Sequence, residues 1–423
     1  MLRHAWRSAR NRARSVRAHP SLNPLSRSEL AVERSGGHPV DPSHEPHLVA
    51  GAEWLAQAQD ASLDAGVARG FSLGWNPYFG GKGWQPSYPE TTGYIIPTLL
   101  ALAHRLDRPA FRRRALEAAH WEVGVQHESG GIQGGVIGEG GAPAAFNTGQ
   151  VLLGWLAVHQ DTGAPTFADA ARRAGRFLVD TQSSDGIWRR SSSAFARADA
   201  TLYNTRTGWA LIAAGNHLNA PKMRDAGVRA LSAAADHQTQ DGWLPHCCLA
   251  DPERPVLHTL AYGLRGLLEG GALLDRPDFV EAAATGARAL AQQLQDGGWM
   301  AGRFGRGWVP AASWSCLTGQ AQMVNVWLRL HEHTGETTWL HPVEQVLAFL
   351  KSTQNRSSAV DGLRGGIKGS HPVDGAYGRC EVLSWATKFF VDALMRAEVA
   401  AGPTQPAPWD PGREPEAWLP TLA

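Results

Sequence analysis

Residues 167–188 read FADAARRAGRFLVDTQSSDGIW, and their pattern returns along the chain at a fixed interval. An alanine- and arginine-rich stretch with apolar residues at helical spacing ends at Gln182, and a glycine turn then leads to Trp188. The aromatic or methionine that opens such a stretch recurs at Phe111, Phe167, Met223 and Phe279, 56 residues apart, and again at Trp339 after 60. Between these stretches lies a more apolar one that starts at or near a Thr-Gly step: TTGYIIPTLLALA from Thr91, NTGQVLLGWLAV from Asn147, TRTGWALIAAG from Thr205, TLAYGLRGLLEG from Thr259, LTGQAQMVNVWL from Leu317 and EVLSWATKFFVDAL from Glu381. A period of this length marks a repeat architecture, in which each unit buries its apolar face against its neighbours.

The first helix of each unit carries charge on one side and reads as an outer, half-exposed helix; the second is apolar nearly all round and reads as an inner, buried one. Counting HLVAGAEWLAQAQ from His47, there are six pairs. No segment shows sustained period-2 alternation, so sheet is at most local. An open solenoid needs polar capping repeats, whereas the last pair here is as apolar as the middle ones. The pattern therefore predicts an all-α fold, an (α/α)6 toroid closed over residues 46–400. Outside it lie a basic segment, 1–45, expected to be flexible, and a proline-rich tail, 401–423, expected to be extended on the surface.

Composition narrows the function classes. In 423 residues, 40 basic side chains face 39 acidic ones, so no global field attracts nucleic acid. The start carries Arg3, Arg7, Arg10, Arg12, Arg14 and Arg17 without an apolar core, which argues against a secretory signal and leaves a loose tail or a basic arm for a membrane surface. No window approaches the roughly 18 uninterrupted apolar residues of a membrane span. The four cysteines form no CxxC pair, which fits a reducing cytoplasm; neither a metal nor a cofactor is expected. Many of the 47 glycines sit in the repeated turns or at the Thr-Gly starts of the second helices, and two groups stand out among the 17 tryptophans. Trp188, Trp243 and Trp299 stand in the turns, while Trp75, Trp84, Trp308 and Trp314 stand in the loops before inner helices.

The turns QSSDGIW from Gln182, QTQDGW from Gln238 and QLQDGGW from Gln293 resemble the QW repeat of terpenoid cyclases and protein prenyltransferases, which are α/α toroids. In that motif the Gln ties off orphan carbonyls at a helix end, the Gly turns the chain and the Trp packs on the next repeat. The DxDD run of squalene-type cyclases is absent, and Cys247, Cys248, Asp251 and His258 match no zinc spacing of the prenyltransferases, so that activity ranks last. YPETTGYIIPTLL from Tyr88 and FNTGQVLLGWL from Phe146 resemble the toroid proteins of bacterial exopolysaccharide clusters. The architecture is also similar to six-hairpin glycosidases, polysaccharide lyases and uronyl epimerases. The resemblance implies a partner that is an oligo- or polysaccharide, acidic sugars included.

In such a ring the loops entering the inner helices line one mouth. Candidate sugar-binding residues there are Trp75, Lys82, Trp84, Tyr88, Asn147, Asn204, Arg206, His258, Tyr262, Trp308, Trp314 and Arg379. Aromatic rings stack on pyranose faces, polar groups bond hydroxyls, and helix N-termini favour an anionic sugar. Glu90, after Pro89 at the start of a buried helix, is expected to be desolvated and so raised toward general-acid duty; its plain structural role is a helix cap. Glu381 and Asp374 are the candidate second carboxylates, brought beside unit one if the ring closes. An elimination or epimerisation would instead use Tyr203 or Tyr377 as base, with Asn204, Arg206 and Arg379 neutralising the neighbouring carboxylate. The sequence thus points to a glycoside hydrolase or a uronate lyase or epimerase of polysaccharide biosynthesis or modification. A non-catalytic glycan-binding or assembly factor is the alternative, and a prenyltransferase or cyclase-like enzyme ranks third.

Overall fold

The computed structural model describes residues 23–193, 196 and 201–401; the arginines at 3–17 and residues 402–423 lie outside it. After α1 (Pro24–Arg34), outer and inner helices alternate. The outer ones are α2 (Glu45–Asp60), α4 (Pro109–Val125), α6 (Pro165–Thr181), α8 (Pro221–His237), α10 (Pro277–Ala291) and α12 (Leu340–Thr353). The inner ones are α3 (Pro89–Arg105), α5 (Ala145–Thr162), α7 (Thr205–His217), α9 (Leu257–Leu274), α11 (Leu317–Thr334) and α13 (Ser384–Ala401). Each inner helix packs on the next, from α3 through α5, α7, α9 and α11 to α13, and α13 returns to α3. The ring is closed.

Burial follows the two kinds of pattern. In α9 every residue from Leu257 to Gly271 is buried, whereas α6 buries a stripe through Phe167, Ala170, Ala171, Ala174 and Leu178 at i, i+3, i+4 spacing. Prolines at the first helical positions, Pro109, Pro165, Pro221 and Pro277, start four outer helices where a missing N–H costs nothing. Inner helices pass to the next outer helix through tight links such as Gly163-Ala164, with Gly163 left-handed at φ 67°. The long loops all run from outer to inner helices and collect at the inner N-termini.

The glutamines at the outer-helix ends reach farther than the motif reading has them. Gln182 Nε2 donates to Gly186 O at 3.1 Å and, across the unit boundary, to Ala226 O at 2.9 Å. Gln126 does the same to Gly130 O and Ala170 O, and Gln238 to Gly242 O and Ala282 O. Gly186, at φ +85°, lies so close to the next outer helix that a Cβ would stand 2.4 Å from Arg229 O. Gln and Gly therefore stitch each turn to the following unit, while the Trp188 indole donates back to Leu178 O at 2.9 Å in its own outer helix. The last unit completes the circuit. Gln354 Nε2 donates to Gly365 O at 2.7 Å and to His47 O at 3.1 Å in the first outer helix, and its Oε1 meets His47 Nδ1 at 2.6 Å.

Strand pairing closes the seam and ties its neighbours. Strands β1 (Gly70–Asn76), β2 (Gly81–Trp84) and β5 (Glu381–Leu383) form an antiparallel sheet in the order β2-β1-β5, which pairs Ser72 with Glu381 and Phe71 with Val382. A two-stranded pair, β3 (Ser315–Cys316) and β4 (Ser370–His371), joins units five and six. The described part of the 1–45 segment is not loose: α1 packs on β1. Its Glu29 and Glu33 are buried against Lys368 Nζ at 2.6 and 3.1 Å. Burial alone would raise the Glu29 carboxyl, but His38 and Lys368 pull it down to about 2.

Two substitutions test the stitching. Gly186→Ala forces a Cβ into the Arg229 carbonyl, and Gln182→Ala removes the bonds to the Gly186 and Ala226 carbonyls. Each is expected to cost about 1–3 kcal/mol in urea unfolding; unchanged midpoints would show that the turns do not hold the units together.

Candidate active site

A cavity of about 580 Å³ lies at the loop end of the ring, with Arg69, Tyr88, Glu90, His258, Tyr377, Glu381 and Trp385 on its wall. Glu90 sits in the first turn of α3, where it makes no cap; Tyr88 is the N-cap residue. Its carboxylate turns to the cavity and accepts from the Tyr88 hydroxyl at 2.6 Å. Burial pushes the Glu90 pKa up to about 7, restrained by the Tyr88 hydrogen bond and by the charges of Arg206 and Arg69. At neutral pH the acid and its conjugate base are both populated.

Glu381 is placed by β-pairing across the seam. Its Oε1 accepts from Gln85 Nε2 at 2.6 Å, from Asn76 Nδ2 and from Arg69 Nη1 at 3.2 Å, and Oε2 lies 3.3 Å from the same Arg69 nitrogen. Arg69 is held in turn by rings: its guanidinium lies 4.9 Å from the Trp385 ring and 5.2 Å from that of Phe79. One arginine thus pairs with Glu381 and favours the charged form of Glu90.

His258 opens α9, 4.4 Å from the Tyr262 ring and 5.4 Å from the Tyr377 ring. Burial, with Arg206 nearby, pushes its pKa down to about 3, so the ring is neutral under physiological conditions. The Tyr377 hydroxyl accepts from Trp385 Nε1 at 2.8 Å. Burial raises the phenols of Tyr88, Tyr203, Tyr262 and Tyr377 above their usual value. Among the described residues, no three His, Cys, Asp or Glu side chains converge as a metal site.

Of the residues singled out from sequence, the cavity wall gathers Tyr88, Glu90, His258, Tyr377 and Glu381. The others are elsewhere. Tyr203 and Tyr262 are buried with their rings 5.1 and 4.9 Å from Phe146. Asn147 Nδ2 donates to Gln133 O at 3.1 Å, and Asn204 Oδ1 accepts from Thr207 Oγ1 at 3.1 Å. Trp84 packs on Trp54 and Phe71, and the Trp308 indole donates to Asp241 O at 2.8 Å, tying the fifth-unit loop to the fourth-unit turn. Lys82 and Arg379 are exposed, while Trp75, Trp314 and Asp374 are half-buried off the wall. Arg206 lines a separate cavity. Loop membership cannot tell which way a side chain faces, and half of each loop packs on its neighbours. Arg69, Asn76 and Gln85 escape sequence reading because they meet Glu381 only through strand register, and Phe79 because it packs on Arg69. Trp385 stands one residue into the last inner helix, a start that carries no Thr-Gly step.

No protein-family model matches the sequence, and no curated protein matches it. Solved structures do match in shape. An unsaturated glucuronyl hydrolase specific for heparin superposes on 85% of this chain and 98% of its own, with a TM-score of 0.67 at 15% identity. The unsaturated glucuronyl hydrolase of Bacillus sp. GL1 covers 84% and 97%, with a TM-score of 0.65 at 13% identity. The chain has the six-hairpin toroid fold. A cellobiose 2-epimerase from Bacillus thermoamylovorans shares the toroid over 87% of this chain and 98% of its own, with a TM-score of 0.62 at 12% identity. No helix among the toroid's described residues is long and apolar enough to cross a membrane.

The raised Glu90 pKa makes the toroid's stability depend on pH. A carboxyl at 4.5 in the unfolded chain and about 7 in the fold stabilises relatively below 4.5, and that contribution is lost as pH rises through about 7. Between pH 5 and 8 the wild type is expected to lose up to about 3 kcal/mol relative to Glu90→Gln in urea unfolding; parallel curves for the two proteins would refute a desolvated Glu90.

Proposed function

We propose that the protein is a glycoside hydrolase acting on an oligosaccharide in the ring-mouth cavity, with Glu90 as proton donor. The observation that carries this reading is a carboxyl raised to about 7, in one cavity with a second carboxylate fixed by Arg69, Asn76 and Gln85. Glycoside cleavage needs these two parts: an acid to protonate the departing oxygen and a carboxylate on the other side of the reacting carbon. Glu90 gives its proton to the leaving oxygen as the glycosidic bond breaks. Glu381 faces the positive charge developing on the sugar ring and, through Oε2, takes the proton of the water that adds. Trp385, Phe79 and Tyr78 offer ring faces to the sugar, and Arg69 and Arg303 offer cations to an acidic one.

Similarity in fold to unsaturated glucuronyl hydrolases supports an acidic sugar substrate, and a cavity of about 580 Å³ suits a short oligosaccharide end. Elimination or epimerisation is less well served. The buried tyrosines are harder to ionise than usual, and His258 at about 3 is a poor proton acceptor. Resemblance to exopolysaccharide-cluster proteins suggests polysaccharide metabolism, in the cytoplasm, as the setting.

Mass spectrometry of a panel of neutral and uronate-ended oligosaccharides tests the reaction. Wild type should release products whose masses sum to substrate plus one water, and Glu90→Gln should lower the rate by about 100- to 10,000-fold with folding intact. Activity should fall above pH 7 as Glu90 loses its proton. Undiminished turnover in Glu90→Gln would refute its role; unsaturated or isomerised products would favour the lyase or epimerase, and binding without turnover the glycan-binding factor.

A further inference from the structure

Deeper along the inner helices, and sharing no wall residue with the mouth, lies a second cavity of about 60 Å³. Arg206 of α7, Arg265 of α9 and Lys388, Asp392 and Arg396 of α13 line it. The three on α13 follow at i, i+4 and i+8, one inward-facing row of a helix whose other faces pack on α2, α3 and α11. All four cations are buried.

Three of these cations have carboxylate partners. Lys388 pairs with Asp392, which also accepts from Thr98 Oγ1 at 2.8 Å. Arg265 pairs with Glu269, and Arg396 with Glu332 at 3.3 Å. Arg206 differs. It is 4% exposed, and among the described residues its one hydrogen bond runs from Nε to Gln150 Oε1 at 2.5 Å, with no ion pair. Its guanidinium lies instead 5.2 Å from the rings of Trp209 and Tyr262 and 5.5 Å from Phe389, and the residue lines the open space. Ring contacts offset part of the cost of burying this charge, but a buried cation without a counter-charge remains expensive.

We infer that this axial cavity binds one small oxyanion of the phosphate or sulfate class, held by Arg206 and Lys388. The size admits it: a single water needs about 10–15 Å³ of such space, so about 60 Å³ leaves room for one small tetrahedral ion. The charge fits as well, since the ion supplies the partner that Arg206 lacks. Asp392, the one carboxylate on the wall, is already engaged by Lys388 and Thr98. Burial lowers the Arg206 pKa, against the smaller opposite pull of the Tyr262 and Tyr94 phenols and of Asp392 and Glu269.

Calorimetric titration of the full chain with sodium phosphate, and separately with sodium sulfate, tests this without any sugar, so the hydrolase reading can fail independently. With ionic strength held by sodium chloride, at least one of the two oxyanions should bind saturably at one site per chain and raise the unfolding temperature with concentration. Lys388→Met and Arg206→Met should each weaken that affinity at least tenfold, and the exposed Lys82→Met should leave it unchanged. Arg206→Met should also be at least as stable as wild type in oxyanion-free buffer, because it removes an unpaired buried charge. If Arg206→Met fails to fold, Lys388→Met decides. Absence of saturable binding by both oxyanions at millimolar concentration, or full affinity in Lys388→Met, would overturn the inference.

Discussion

The amide of Gln354 lies between Gly365 O at 2.7 Å and His47 O at 3.1 Å, and so joins the last helical unit to the first. The same device operates at Gln126, Gln182 and Gln238, where each turn is stitched to the unit that follows. A net hydrogen bond is worth only about 1 kcal/mol, but the carbonyls it serves would cost more if left unpaired. A repeat that leans on its successor needs a successor. Closing the ring supplies one for the sixth unit and removes the apolar end that an open stack would expose to water.

Closure also assembles the mouth. Once α13 lies against α3, the loop before α13 can pair as β5 with β1, and Glu381 arrives beside Arg69, Asn76 and Gln85 from the first unit. Glu90 enters the same cavity from the first turn of α3. The two carboxylates sit in contrasting surroundings. Glu381 is surrounded by donors, whereas Glu90, half-buried on the cavity wall, has the Tyr88 hydroxyl and a desolvated carboxyl. Unequal environments are how one site supplies both an acid and a base. Helix α1 braces the outside of this seam through Glu29, Glu33 and Lys368, whose neighbour Gly369 donates to Glu381 O at 3.0 Å.

The 56-residue period made the ring legible in the sequence, because a geometric repeat leaves a residue repeat. Glu90 was legible for a related reason: its distance from the Thr-Gly step fixes its height on an inner helix, and that height is the cavity. Glu381 followed from closure. The tryptophans of the loops were not legible. Trp84 packs on Trp54 and Trp308 bonds to Asp241 O, both as structural pieces, while Trp385 and Phe79 face the cavity in their place. A loop in sequence has no inside, and the register of β1 against β5 is set by contacts nearly the whole chain apart. The motif's physical logic was incomplete for the same reason, since Gln also bridges neighbouring units.

The proposed chemistry stands on the protonation of one carboxyl in the ring mouth. Infrared difference spectra of wild type against Glu90→Gln, taken from pH 4 to 9, isolate the protonated carboxyl band of Glu90. The account predicts a band that persists through neutral pH and disappears with a midpoint near 7. A midpoint near the ordinary 4.5 would contradict it.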